Sequence, residues 1–295
     1  MKKYIILIPL YNDWKSAFKL LENIDSGILN LNIEVSVLIV NDASTEKRPI
    51  LDFKFKKIQS LRVLNMKNNR GHARCYATGL KYLTEKETFD YIIQMDADGE
   101  DRPEELPALF NKSIENPFKT ITLNRKKRSE GFFFKFLYES HKILTYFFTG
   151  KLIKFGNYCC MPRNDVIKLL AEACIWSSFS GSLTKVISER ISISSIRGKR
   201  YFGPSQMNLF SLLHHSFAII AVFKRTAIIR SIFYLSIYLF FISNNFSFIT
   251  LFPVLIIIIF LILISKISLR ENIGELNNSL ENIVNIDILS DFNGR

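Results

Sequence analysis

Residues 89–101, Phe-Asp-Tyr-Ile-Ile-Gln-Met-Asp-Ala-Asp-Gly-Glu-Asp, read as a short apolar strand running into an acidic turn. In extended backbone Asp96 and Asp98 project to the same side, so both carboxylates can approach one hard cation, directly or through water, while Gly99 permits the turn. A divalent ion there would neutralise a departing diphosphate. The alternative reading is an acidic turn capping a helix that opens at Pro103. Working outward, Tyr4–Ile8, Val35–Val40 and Leu61–Leu64 are further apolar runs of strand length, and Trp14–Ile24, Gly71–Leu83 and Pro103–Ile114 have helical character. This βαβα alternation predicts a parallel sheet with helices on both faces, and such sheets bind ligands beyond the carboxyl ends of their strands.

The other strand ends carry polar groups as well. Asn41-Asp42-Ala43-Ser44-Thr45 places a carboxylate and hydroxyls at the sheet edge, where Asp42 can accept hydrogen bonds from a ribose or base, or serve only an Asx turn. Pro9-Leu10-Tyr11-Asn12-Asp13 reads as a nucleotide-facing loop or as a cap for the Trp14 helix. Asn69 to Leu80 opens a helix at a fourth edge. There Ala73, Ala77 and Gly79 allow close packing on the sheet, and Arg70 with the helix amino end can face phosphate. His72 has no His or Cys partner at ligand spacing and is read as a packing or hydrogen-bonding residue.

Composition constrains the remainder. The chain has 295 residues, 48% hydrophobic and 22% charged, with a mean hydropathy of +0.14, which excludes a disordered chain and a small disulfide scaffold and points to a membrane. Its formal charge is +12, and 33 of the 39 basic residues lie in the first 200, a balance suited to phosphate-rich partners. Four cysteines without C-x-x-C spacing fit a reducing compartment. The apolar run after Met1-Lys2-Lys3 is short and contains Pro9, so it is read as a buried strand rather than a signal peptide. An aromatic, helix-like stretch spans 131–149. Between Arg230 and Lys266 lie 35 uncharged residues, about 52 Å as one helix and too long for a single crossing. A hairpin turning at Ser243-Asn244-Asn245 is expected, with spans at roughly 226–242 and 246–265, Arg230 snorkelling, and both ends in the cytoplasm by the positive-inside rule. Residues 207–223 are expected to form an interfacial helix, and the tail from Leu269 shows helical apolar spacing at Ile273, Leu276, Leu280 and Ile283.

At the strand-end motifs the chain resembles the family-2 glycosyltransferases of the GT-A fold, in particular the membrane-associated branch that acts on polyprenyl phosphates. The resemblance rests on Ile8 to Asp13, Asn41 to Thr45, Asn69 to Leu80 and Gln94 to Glu104. It continues more loosely through Arg125 and Arg128, Phe155 to Tyr158 with Met161-Pro162-Arg163, and Gly203-Pro204-Ser205, covering about residues 4–265. Asp13 stands where Glu is usual, Asn41-Asp42-Ala43-Ser44 where Asp-Asp-Gly-Ser is usual, and Ser205-Gln206 where Ser-Lys is usual; no Q-x-x-R-W motif of processive synthases is present. The resemblance implies an α/β, Rossmann-like nucleotide-diphospho-sugar transferase domain (1–206), an interfacial helix (207–225), a transmembrane hairpin (226–267) and a cytoplasmic tail (268–295). It implies a nucleotide pocket of Pro9, Tyr11, Asp13, Asp42, Gly71 and Asp96, and a divalent cation, Mg2+ or Mn2+, on Asp98 with Asp96. Catalytic work is implied for Asp96, Asp98, Arg125 and Arg128, and phosphate or acceptor contacts for Arg125, Arg128, Asn157, Arg163, Arg200 and Ser205.

A sugar hydroxyl must lose a proton as it attacks, whereas a phosphate monoester is already anionic and needs only cations to hold it. The many cations, the hairpin and the lack of an evident base favour transfer of one hexose, with inversion, from a nucleotide-diphospho-sugar to a polyprenyl phosphate at the bacterial inner membrane. Transfer to a hydroxyl of a lipid-linked glycan stays open, with Asp101 or Glu100 as base candidates, and so does a non-catalytic membrane scaffold that binds nucleotide sugar. Membrane lipids are expected partners, a homo-oligomer is left open, and nucleic acid is not expected, since it explains the charge but neither the hairpin nor the acidic strand ends.

Overall fold

The computed structural model describes residues 1–127, 132–204 and 209–291. The first strands are β1 (Lys3–Leu10), β2 (Glu34–Asn41), β3 (Ile58–Met66) and β4 (Tyr91–Gln94), joined by helices α1 (Trp14–Gly27) and α2 (His72–Lys86). Then come α3 (Leu106–Glu115), β5 (Thr120–Lys127), α4 (Phe132–Thr149), β6 (Phe155–Pro162), α5 (Arg163–Leu170), α6 (Phe179–Val186) and β7 (Arg190–Ile196). The chain ends with α7 (Leu209–Val222), α8 (Lys224–Ile242), α9 (Phe248–Ser268), α10 (Ile273–Asn277) and β8 (Ile283–Asp291).

Among the described residues these strands form one eight-stranded sheet in the order β7-β5-β6-β4-β1-β2-β3-β8. Strands β4, β1, β2 and β3 are parallel, as the alternation predicts. Every residue of β1 after Lys3 is buried, the pattern of a strand covered on both faces. One face packs on α1 and α3 through Trp14, Leu20, Leu21 and Phe110, and the other on α2, α5 and α6 through Tyr76, Leu80, Val166 and Phe179. Gly79 is where α2 comes closest: a Cβ there would stand 2.6 Å from Leu7 Cδ1 and 2.9 Å from Val40 Cγ2. All four cysteines are free and buried.

Strand β6 runs antiparallel to β4 and β5, so its first residues, Phe155 to Asn157, lie at the edge where the parallel strands end. Strand β7 runs parallel to β5 and delivers residues 197–201 to the same edge. The tail differs from its helical expectation. Only Ile273–Asn277 and one 3-10 turn are helical, and Ile283–Asp291 pairs antiparallel with β3, tied by an Arg48–Asp287 ion pair of 2.7 Å. An isolated reading of Ile283, Ile286 and Ile288 cannot see the free edge of β3 that supplies their hydrogen-bond partners. The segment after the hairpin thus completes the sheet.

Helices α8 and α9 are long and apolar enough to cross a membrane, with mean hydropathies of 1.5 and 3.1 in their most apolar windows. Their outward side chains, among them Phe233, Phe240, Ile249, Phe252 and Ile256, are exposed within the chain itself, a surface that costs roughly 1.5–3 kcal/mol per large side chain if left in water. Phe148 of α4 meets Phe260 of α9 at 4.3 Å, and Phe147 stacks on Tyr234 of α8 at 4.1 Å. Arg230, expected to snorkel, donates to Phe147 O at 3.2 Å and lies over Gly150. A cation is favoured there because the terminal carbonyls of a helix carry partial negative charge.

Candidate functional site

The acidic turn after β4 is held from three directions. Gly99 has φ of +88°, and its backbone rests on the Tyr201 ring, where an added Cβ would come within 2.5 Å, so both conformation and space call for glycine. Tyr201 N donates to Asp98 O at 2.9 Å and Gly198 N to Glu100 O at 2.8 Å, so the segment after β7 straps the turn. Its side chains add charge: Arg197 pairs with Glu100, and Arg200 bridges Asp98 Oδ2, at 3.1 Å, and Asp13.

Asp96 Oδ1 accepts from His72 Nε2 at 2.9 Å, Tyr76 OH at 2.9 Å and Asn157 Nδ2 at 3.4 Å. His72 and Tyr76 are one helical turn apart, so a single face of α2 supplies both. Burial opposes ionisation of Asp96, but the His72 ring, Arg125 and the Tyr76 hydroxyl overcome it and hold the carboxyl well below the usual range. Its neighbours move the other way. Burial, then repulsion from Asp96 and Glu100, pushes Asp98 up to about 6. Burial and Asp96 push Asp101 up to about 7 despite the Arg125 guanidinium 3.3 Å away. Asp101 Oδ2 also accepts the Asp96 N–H at 3.0 Å, so Asp101 braces the turn instead of capping the Pro103 helix, and Glu100 is likewise engaged by Arg197.

Asp42 is 3% exposed, and its two oxygens accept Arg70 N at 2.7 Å and Gly71 N at 2.8 Å. Gly71, with φ of +88°, turns the chain into α2 at that point. The β1 and β2 loops are sewn together by Asn12, whose Oδ1 accepts from Thr45 N and Glu46 N at 2.9 and 3.0 Å. Pro9 is buried near the end of β1, Tyr11 is half exposed beyond it, and Asp13 faces Arg200 without capping α1.

The structure therefore brings Pro9, Tyr11, Asp13, Asp42, Gly71, Asp96, Asp98, Arg125, Asn157 and Arg200 to one sheet edge. Arg125 sits within β5. Arg128 and Ser205 lie outside the described residues. Arg163 is a correction. Its guanidinium donates to Thr84 O at 2.7 Å and Glu87 O at 3.0 Å and lies over Phe89, at the opposite end of β4. Antiparallel β6 pairs Pro162 with Tyr91, which carries Arg163 away from that edge. The sequence reading missed Tyr76 and Tyr201; the His72–Tyr76 spacing was a usable signal, whereas Tyr201 meets Gly99 only through the fold.

Among the described residues no three His, Cys, Asp or Glu side chains form a closed metal site. An open site fits: two carboxylates that repel one another, with the Arg200 cation already bridging Asp98 and Asp13, suit a hard ion that takes its other ligands from a diphosphate.

The profile of Glycosyl transferase family 2 matches residues 5–171, more than half the chain. The chain belongs to glycosyl transferase family 2. Within the family, it is 26% identical over 232 residues to undecaprenyl-phosphate 4-deoxy-4-formamido-L-arabinose transferase of Klebsiella pneumoniae, covering 77% of this chain and 69% of that one. Among solved structures it is similar to glucosyl-3-phosphoglycerate synthase of Mycobacterium tuberculosis in complex with Mn2+, UDP-glucose and phosphoglyceric acid. The TM-score is 0.53 and the identity 12%, over 77% of this chain and 80% of that one. Mannosyl-3-phosphoglycerate synthase of Rubrobacter xylanophilus gives a TM-score of 0.50 and 13% identity, over 76% and 73%. At such identities these structures speak for the fold, which is the GT-A-like α/β domain expected. The protein is a glycosyltransferase.

Proposed function

We propose that this family-2 enzyme transfers one hexose from a nucleotide-diphospho-sugar to a polyprenyl phosphate, with inversion, at the cytoplasmic face of the bacterial inner membrane. The carrying observation is that both candidate bases beside the D-x-D turn are committed: Glu100 to Arg197, and buried Asp101 to Arg125 and the Asp96 N–H. An acceptor hydroxyl would lack a free base, whereas a phosphate arrives as its own nucleophile. The apolar hairpin that follows the catalytic domain and the activity named for the Klebsiella relative support a lipid acceptor.

In this reading Pro9, Tyr11, Asp13 and Gly71 border the nucleotide, and Asp42 holds the Arg70–Gly71 turn in shape beneath it. Asp98 and Asp96 would hold a divalent cation, Mn2+ or Mg2+, which when bound neutralises the leaving diphosphate. Arg200, next to that carboxylate pair, is placed to exchange it for donor phosphate, and Arg125 and Asn157 line the phosphate path, a role the resemblance also implies for Arg128. Residues 1–206 would form the catalytic domain, 207–225 the interfacial helix and 226–267 the hairpin, with β8 of the 268–295 segment closing the sheet.

The test is incubation of detergent-solubilised protein with labelled nucleotide sugars, Mn2+ or Mg2+, and undecaprenyl phosphate, with Asp98→Ala as control. An acid-labile lipid product that needs metal and is lost in the variant is expected. Label entering only a glycan hydroxyl would overturn the lipid-phosphate reading, and nucleotide-sugar binding with no transfer to any acceptor would favour a scaffold.

A further inference from the structure

Helix α7 joins the catalytic domain to the hairpin and packs against α6. A Cβ added at Gly181 of α6 would lie 3.0 Å from Val222 Cγ2 and 3.4 Å from Ile219 O, so Ile219 and Val222 mark the face of α7 that rests on α6. His215 precedes them at helical spacing on that face, one turn before Ile219. Phe179, the first residue of α6, lies against Tyr76 with ring centres 5.9 Å apart, and Tyr76 bonds Asp96. Helix α4 approaches from the other side: its Leu144 and Phe148 pack with Phe217, Ile220 and Ala221 of α7. His141 lies on that side of α4, with Nδ1 3.3 Å from Thr145 Oγ1.

Histidines from α2, α4 and α7 therefore sit on elements packed around the Asp96 site, yet among the described residues they form no metal-ligating group. His215 stays accessible to solvent in the folded chain. Crowding by the surrounding protein atoms, then repulsion from His72 and His141 and, more weakly, Arg125, opposes protonation and holds its pKa down to about 4 against the attraction of Asp96, so these groups are its electrostatic neighbours. A neutral ring keeps one N–H donor, which suits an incoming phosphate without attracting the donor nucleotide. Its neighbour His214 serves elsewhere, with Nε2 2.9 Å from Arg270 Nη1.

We propose that His215 donates a hydrogen bond to the phosphate of the lipid acceptor, holding it on the bilayer side of the Asp96–Asp98 turn, with His141 beside it. This rests on the lipid-phosphate reading of the acceptor and adds the element that presents it. The experiment uses the full chain in lipid nanodiscs, comparing wild type, His215→Leu, His215→Asn and the control His214→Leu. For His215→Leu, KM for undecaprenyl phosphate should rise about tenfold to a hundredfold, the loss of one hydrogen bond to a charged group, with kcat and nucleotide affinity nearly unchanged. His215→Asn, which keeps an N–H donor, should recover most of the loss, and His214→Leu should match wild type. An unchanged KM, or an asparagine variant as impaired as the leucine one, overturns the proposal. A second measurement needs no turnover: in histidine-labelled protein without donor, the ring resonance missing from His215→Asn should move with undecaprenyl phosphate and not with undecaprenol. If it moves with both or with neither, the proposal fails; absence of transfer by the wild type would instead count against the lipid-phosphate reading.

Discussion

Replacing Asp42 by Asn separates a structural brace from a nucleotide ligand. In the folded chain the Asp42 carboxylate accepts two backbone N–H groups, from Arg70 at 2.7 Å and Gly71 at 2.8 Å, in a site 3% exposed. Asparagine keeps one acceptor oxygen and turns an NH2 group toward the second N–H. One charge-assisted bond is lost, the other weakened, and a buried donor left without a partner, a cost of roughly 2–4 kcal/mol. For a domain of this size that lowers Tm by about 4–16 °C. The assay is thermal unfolding in one detergent at a fixed scan rate, without nucleotide or metal, beside titration with nucleoside diphosphate. A Tm within about 1 °C of wild type together with a more than tenfold loss of nucleotide affinity would refute the brace and make Asp42 a ligand first.

Arg200→Ala removes the cation on Asp98 and Asp13; with an ion pair at such a position worth roughly 1 kcal/mol, Mn2+ binding without nucleotide should tighten about fivefold while sugar transfer falls. Weaker Mn2+ binding, read by electron paramagnetic resonance, would contradict this. Arg163→Ala should cost roughly 1–3 kcal/mol of stability through its bonds to Thr84 O and Glu87 O, yet leave both substrate KM values unchanged at a temperature where the variant is folded. Burial and the neighbouring Asp96 push Asp98 up to about 6 and Asp101 up to about 7, above their unfolded values, so the unfolded chain releases these protons first. Their contribution to the stability of the metal-free protein should fall as pH rises from about 4 to about 7 and then level off. Denaturant unfolding at pH 5.5 and 8 should show Asp101→Asn gaining on wild type at the higher pH, and a constant difference would refute the assignment.

The strands Tyr4–Ile8, Val35–Val40 and Leu61–Leu64 were legible because burial on both faces of a parallel sheet leaves a continuous apolar run in the chain itself. The hairpin was legible for the same kind of reason: a long uncharged stretch broken by Ser-Asn-Asn states its own geometry, and α8 and α9 fall beside it. So were Asp96, Asp98 and Gly99, whose spacing is local. What the tertiary structure decided depends on which distant segments become neighbours. Arg200 reaches Asp13 across 187 positions and Tyr201 lies under Gly99 because β7 runs parallel to β5. Arg163 leaves the site because β6 runs the other way, and Ile283–Asp291 becomes a strand because β3 offers an edge. His215 acquires a role only where α7 crosses α6. Periodicity and spacing record each residue's own burial and backbone conformation. Strand direction, edge pairing and helix crossing are set by the free energy of the assembled whole, and they decide which charges meet.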